Sequence, residues 1–218
     1  MKVETFVSSF LDTNTYVMEE DGHLLIIDPS DRAAVLDRCK EAKNVTVLLT
    51  HEHFDHISGL NRIRDLCASS CRVIADATCS ERIQDTKANL SAYADVLAEL
   101  GGKQISEHWL PFACKAADIT FENRYAFHWM EHAMEMFFTP GHSAGSCCIV
   151  VDDMLFVGDT VLENNLMVKF PGSSKKLYRS VTAPLLEKLL LGNRISCVYP
   201  GHGDVMSPEM ALGLIRDI

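Results

Sequence analysis

The chain has 218 residues, long enough for one well-covered core, and its 47% hydrophobic and 23% charged residues are ordinary for a globular protein. A formal net charge of −10 and a pI near 5.3 exclude the generally basic face that nucleic acid or an anionic membrane selects. No apolar run is long enough to span a bilayer, the first residues lack the apolar segment of a signal peptide, and the eight cysteines, none in a C-x-x-C pair, read as free thiols of a cytoplasmic protein.

In chain order, "TYVMEEDGHLLIID" predicts two strands around an Asp21-Gly22 turn. "SDRAAVLDRCKEAK" predicts a helix capped by Ser30 or Asp31. "NVTVLLT" is a β-branched apolar run, hence a buried strand. "DHISGLNRIRDLC" predicts a helix, because Ile57, Leu60, Ile63 and Leu66 recur at helical spacing. "RVIAD" is a further strand, and residues 80–100 follow a helical pattern ending at Gly101-Gly102. The second half restarts with strands: "DITFEN", "YAFHWM", "MEMFFT", "SCCIVVDD" and "MLFVGDT". An irregular stretch follows, then a helix "SVTAPLLEKLLLGN", a strand "ISCVYPG" and a closing helix "SPEMALGLIRDI". Two strand-and-helix halves meeting near residue 116, within one domain spanning 1–218, predict two packed sheets covered by helices, an α/β sandwich.

The chemistry concentrates in "THEHFDH". His51 and His53 alternate along an extended segment, and His56 falls on the first helical turn beyond it. A strand-to-helix junction therefore gathers His51, His53, Asp55 and His56 around one point. Imidazole and carboxylate suit zinc, iron, manganese or cobalt. The pattern is not H-E-x-x-H, since Asp55 stands four places after His51, and alternation turns Glu52 away from the ligands. Three more candidates each follow a glycine at a strand end: His142 in "TPGHSAGS", Asp159 in "FVGDTV" and His202 in "YPGHGD". Two metals sharing one bridging carboxylate would use five histidines and two aspartates without remainder.

H-x-H-x-D-H at 51–56, followed by His142, Asp159 and His202 in this order, resembles the metallo-β-lactamase superfamily, in particular its glyoxalase II-like hydrolase branch. The resemblance implies a four-layer αββα sandwich of the metallo-β-lactamase type. It also implies a ligand assignment: His51, His53 and His142 on one metal, Asp55, His56 and His202 on the other, and Asp159 between them. The metals implied are two divalent ions, zinc foremost, with iron or manganese as alternatives. The reaction implied is hydrolysis of a small thioester, ester or lactone by a metal-bridging hydroxide, with Asp55 both a ligand and the group that orients and deprotonates the nucleophile. Asp28, ending "LLIID", is a candidate acceptor for a ligand histidine. Lys169, in "NLMVKFPGSSKK", is a candidate for binding a substrate carboxylate or phosphate. The segment after Asp159 departs from the C-G-R block of glyoxalase II, so the hydroxyacylglutathione hydrolase-like resemblance does not by itself carry glutathione specificity over to this chain. Two other chemistries of the superfamily stay open at this point: an iron-dependent persulfide dioxygenase-like redox reaction, and a nuclease or phosphodiesterase reaction. The acidic composition favours a small-molecule partner over nucleic acid or membrane, and leaves the oligomeric state open.

Overall fold

Strands whose two faces are both covered read as continuous apolar runs; "HLLII" is one, and "NVTVL" is a β-branched run in which Asn44 and Thr46 alternate with valines. In a computed structural model, describing residues 2–67, 69–100, 102, 108–163, 170–192 and 194–218, both runs are inner strands of a sheet. The chain divides into two compact units, Met1–Thr120 and Phe121–Ile218.

The first unit is built on a six-stranded sheet with strands in sequence order: β1 (Glu4–Val7), β2 (Asn14–Glu20), β3 (His23–Ile27), β4 (Asn44–Leu48), β5 (Cys71–Asp76) and β6 (Ile119–Phe121). Antiparallel pairing joins β1 to β2 and β2 to β3; β3–β4 and β4–β5 are parallel. The β2–β3 turn is the expected pair, Asp21 and Gly22, both at positive φ (50° and 79°). Helices α1 (Ala33–Glu41) and α2 (Leu60–Leu66) pack Val35, Leu36, Leu60 and Ile63 on Leu24, Ile26, Val45 and Val47. Each such side chain contributes about 1.5–3 kcal/mol on burial. α3 (Ala77–Arg82) and α4 (Ala94–Leu100) follow β5.

The second unit carries a five-stranded sheet in the order β11-β10-β9-β8-β7. Strands β7 (Arg124–Trp129), β8 (His132–Phe138), β9 (Cys147–Val151) and β10 (Met154–Gly158) are antiparallel neighbours; β11 (Cys197–Pro200) joins β10 in parallel. A short α5 (Lys175–Leu177), a π-helical turn (Tyr178–Thr182) and α6 (Ala183–Leu191) run on without interruption, and α7 (Pro208–Arg216) closes the chain. Leu186, Leu190, Ala211 and Ile215 of α6 and α7 cover Cys148, Val150, Leu155 and Val198.

Several expectations are corrected. Neither Ser30 nor Asp31 caps α1, whose N-cap is Arg32 with no side-chain cap. The Ser30 hydroxyl is committed to Thr15 instead, accepting from Thr15 Oγ1 at 2.8 Å. The helix expected from residue 55 is a 3₁₀ turn, Phe54–His56, and α2 begins only at Leu60. The helical pattern of 80–100 breaks into α3, a loop, a 3₁₀ turn (Ser91–Tyr93) and α4. Asn89 breaks it, because its side-chain amide donates to Ile83 O and Phe112 O while its Oδ1 accepts from Ser91 N–H, and Leu90 takes φ +67°. "DITFEN", expected to open the second half, instead supplies β6 beside β5 in the first sheet. Gly101 and Lys169 lie outside the described residues.

Candidate metal centre

In the first unit, β4 ends at Leu48 and the chain passes through His51 and His53 into the 3₁₀ turn bearing Asp55 and His56. All four side chains are buried. The His51 ring lies 4.6 Å from that of His53 and 4.1 Å from that of His56, and His56 Nε2 stands 3.5 Å from Asp55 Oδ2. The turn comes this close to the end of β3 because Gly59 N–H donates to Pro29 O at 2.9 Å. A Cβ on Gly59 would sit 2.2 Å from Ser30 O, so only glycine allows the approach.

Asp28 sits immediately beyond β3 at φ +54°, a left-handed conformation that an aspartate tolerates and that redirects its carboxylate. Oδ1 accepts from Thr50 N–H at 2.8 Å; Oδ2 accepts from Thr50 Oγ1 at 2.5 Å and from His56 Nδ1 at 2.9 Å. The short contact makes the Thr50 hydroxyl a donor to the carboxylate. Its oxygen is then the acceptor for His51 Nδ1, 3.0 Å away. One buried carboxylate thereby sets two imidazoles, His56 directly and His51 through Thr50, with hydrogen on Nδ1 and the lone pair on Nε2. Asp28, His51 and His56 place ligand-type atoms within 4.8 Å of one another.

Two further contacts had no signal in the local sequence. Thr13 Oγ1 donates to Asp55 Oδ2 at 2.7 Å from the loop before β2. Glu52, fully buried between His51 and His53, accepts from Arg82 Nε on α3 at 2.5 Å, which is where alternation away from the ligands takes it.

In the second unit, His142, Asp159 and His202 come together at strand ends. β10 and β11 run in parallel, and Gly201 N–H donates to Gly158 O at 2.8 Å, so the turns carrying Asp159 and His202 are adjacent. Asp159 Oδ2 lies 3.6 Å from His142 Nε2 and 3.5 Å from His202 Nε2. Gly158 has φ +50°, which glycine adopts without strain, and a Cβ on Gly141 would meet Tyr178 Cβ at 2.7 Å, so Gly141 admits no larger residue. The His142 loop is held by Thr182 Oγ1 donating to Pro140 O and by Ser174 N–H donating to Gly141 O.

The donor set fits divalent metals. Ligand bonds of about 2.0–2.2 Å at tetrahedral angles put two donor atoms on one ion roughly 3.4 Å apart. The pairs His56–Asp55, His142–Asp159 and His202–Asp159 stand at 3.5, 3.6 and 3.5 Å.

A family model described as the metallo-beta-lactamase superfamily matches residues 9–202. The chain belongs to the metallo-β-lactamase superfamily. Among curated relatives, a hydroxyacylglutathione hydrolase of Shewanella baltica (strain OS155 / ATCC BAA-1091) is 24% identical over 89% of this chain and 64% of the relative. The chain thus spans less than two thirds of that protein's length. A protein of Bacillus subtilis (strain 168) named "Probable metallo-hydrolase YqgX" is 27% identical over 91% of this chain and 90% of its own. Among solved structures, the BLEG-1 B3 metallo-beta-lactamase superposes with a TM-score of 0.73 at 24% identity, covering 97% of each chain. The expected metallo-β-lactamase fold, an α/β sandwich of mixed sheets and helices, is borne out. Among the described residues, no helix is long and apolar enough to cross a membrane.

Proposed function

We propose that the protein is a dinuclear metal-dependent hydrolase of a small thioester, ester or lactone. The observation that carries this reading is Asp159, one of whose carboxylate oxygens stands at ligand-to-ligand spacing from both His142 and His202. A carboxylate so placed suits a bridge between two ions, with His51, His53 and His142 on one and Asp55, His56 and His202 on the other. The hydrolase names of the relatives support the reaction class.

Divalent ions held there, zinc foremost, would supply Lewis acidity and lower the pKa of water towards about 7. The chain's own residues do the rest. Asp28 keeps His56 and His51 in the tautomer that offers Nε2. Thr13 anchors Asp55 through Oδ2, so that Asp55 Oδ1 can orient the nucleophile's hydrogen and move the proton towards the leaving group. Burial of the histidine turn limits water at the reacting carbonyl. Lys169 is retained as a candidate for a substrate anion on sequence grounds alone.

The test is metal analysis of protein purified without added metal, followed by thioester, ester, lactone and phosphodiester panels with oxygen consumption monitored. Two equivalents of metal with thioester, ester or lactone turnover are expected. A single iron with oxygen uptake, or phosphodiester cleavage alone, overturns the reading.

A further inference from the structure

Beside the Asp55 turn lies a group of aromatic rings that the metal chemistry does not use. Phe10 sits in the loop between β1 and β2, whose base holds Thr13, the donor to Asp55. Phe54 is the residue before Asp55. Trp109 comes from the segment that follows α4. The Phe10 and Trp109 rings stack at 4.5 Å with planes 35° apart. Phe54 meets both edge-on, at 6.2 Å from Phe10 and 5.9 Å from Trp109, and Phe112 lies 6.4 Å beyond Trp109. Phe54 is 1% exposed, whereas Phe10, Trp109 and Leu11 are only half-buried and the neighbouring Leu110 is 80% exposed.

The two half-buried rings are held in place by polar contacts on their backbones. Ser8 N–H donates to Thr13 O at 2.8 Å and Phe10 N–H to Ser8 Oγ at 3.3 Å, closing the loop under Phe10. Trp109 N–H donates to Asp95 Oδ1 at 2.8 Å, and His108 Nδ1 bridges to Asp95 Oδ2 at 2.7 Å. Phe54 N–H donates to Asn89 O at 2.8 Å and the Asn89 side-chain amide donates to Phe112 O at 2.8 Å, tying the metal turn through Asn89 to the segment that delivers Trp109. None of Phe10, Phe54 or Trp109 belongs to the cluster that packs α1 and α2 on β3–β5. Large aromatic rings left half in water, on anchored backbone, next to a reacting centre are an apolar surface awaiting a ligand.

We propose that Phe10 and Trp109, backed by Phe54, form the wall that receives the acyl group of the substrate, so that this protein selects apolar acyl chains over acetyl and hydroxyacyl ones. The inference rests on the hydrolase reading and deepens it. The wall is continuous through Phe54 with Asp55, so it is within reach of a substituent of the reacting carbonyl, and its apolar rings suit the acyl chain rather than the leaving thiol or alcohol. Phe10 and Trp109 act on specificity and take no part in the chemistry.

The experiment has two arms on the metal-loaded full chain. Thioesters of one thiol carrying acetyl, lactoyl, butanoyl, hexanoyl or phenylacetyl groups are compared by kcat/KM. A rise of roughly fourfold per methylene covered by the wall is expected. The slope should flatten in Phe10→Ala and Trp109→Ala, with the graded variants Phe10→Leu and Trp109→Phe intermediate and protecting the test against loss of folding. In the second arm, acetate, hexanoate and phenylacetate are titrated against tryptophan fluorescence. The two larger acids should bind at least about tenfold more tightly, with the signal lost in Trp109→Phe. Equal binding of the three acids, or turnover that tracks the thiol and not the acyl chain, overturns the inference. Selective acid binding without any ester, thioester or lactone turnover overturns the hydrolase reading and leaves the wall standing.

Discussion

Removing the Arg82 guanidinium should destabilise the protein by much more than loss of a surface ion pair. Glu52 is fully buried, flanked by His51 and His53, and its Oε1 accepts from Arg82 Nε at 2.5 Å. The Arg82 side chain is 22% exposed and also donates to Ala88 O at 3.1 Å. Exposed pairs contribute about 0.2–1 kcal/mol, whereas stripping one partner from a buried pair costs about 3–5 kcal/mol. One partner wholly buried and the other partly wet place Arg82→Met between these, at about 2–4 kcal/mol. For a chain of this size that is a fall in Tm of roughly 5–15 °C. Nearby, Asp76, which caps α3 by accepting from Thr78 and Cys79 N–H, has its pKa raised by burial, with the Glu52 charge adding to the effect. The double variant Glu52→Leu/Arg82→Met removes both charges and should recover most of the loss, because no buried charge remains. The assay is urea unfolding at constant metal loading, analysed as a double-mutant cycle. A cost for Arg82→Met below about 0.5 kcal/mol, or a double variant in which the two losses simply add, would refute the argument.

Asp28→Asn keeps a residue that tolerates φ +54° but weakens the acceptor for His56 and Thr50; metal affinity, measured by chelator competition, should fall roughly 10- to 100-fold. Asp55→Asn should lose far more turnover than metal, and equal losses of both would reduce Asp55 to a ligand alone. Gly59→Ala drives a Cβ into Ser30 O and should cost about 1–3 kcal/mol in urea unfolding, with a wild-type value contradicting the close approach. Glu135 is held below its ordinary pKa of 4.5 chiefly by its hydrogen bond from Arg194 and then by Arg124. Its folded pKa is depressed, so its contribution is present above that ordinary value and is lost as pH falls through the folded pKa. Glu135→Gln should therefore flatten the acid limb of a stability–pH curve, and an unchanged limb would contradict the assignment.

Most strands were legible from apolar runs, because β3, β9 and β10 bury residues on both faces and leave no polar alternation to misread. The misread elements share one cause. Residues 80–100 have helical periodicity, yet the Asn89 side chain takes Ile83 O and Ser91 N–H, backbone groups that a helix would need, and ties them to Phe112 O, far along the chain. Ser30 looks like a helix cap until Thr15, from another strand, claims its hydroxyl. β6 has a strand composition, but composition does not say which sheet a strand joins.

The sequence by itself determined the metal-type side chains, their order and the glycines beside three of them, because ligand chemistry and turn conformation are properties of a few consecutive residues. It also determined that Glu52 stands apart from its histidine neighbours, since alternation is local. The tertiary structure alone decided that Thr13 holds Asp55, 42 residues away, that Arg82 meets Glu52 across 30 residues, and that Phe10 stacks on Trp109 beside the metal turn. Those contacts depend on which loops the first sheet brings to its strand ends, and no spacing within any one segment records that choice.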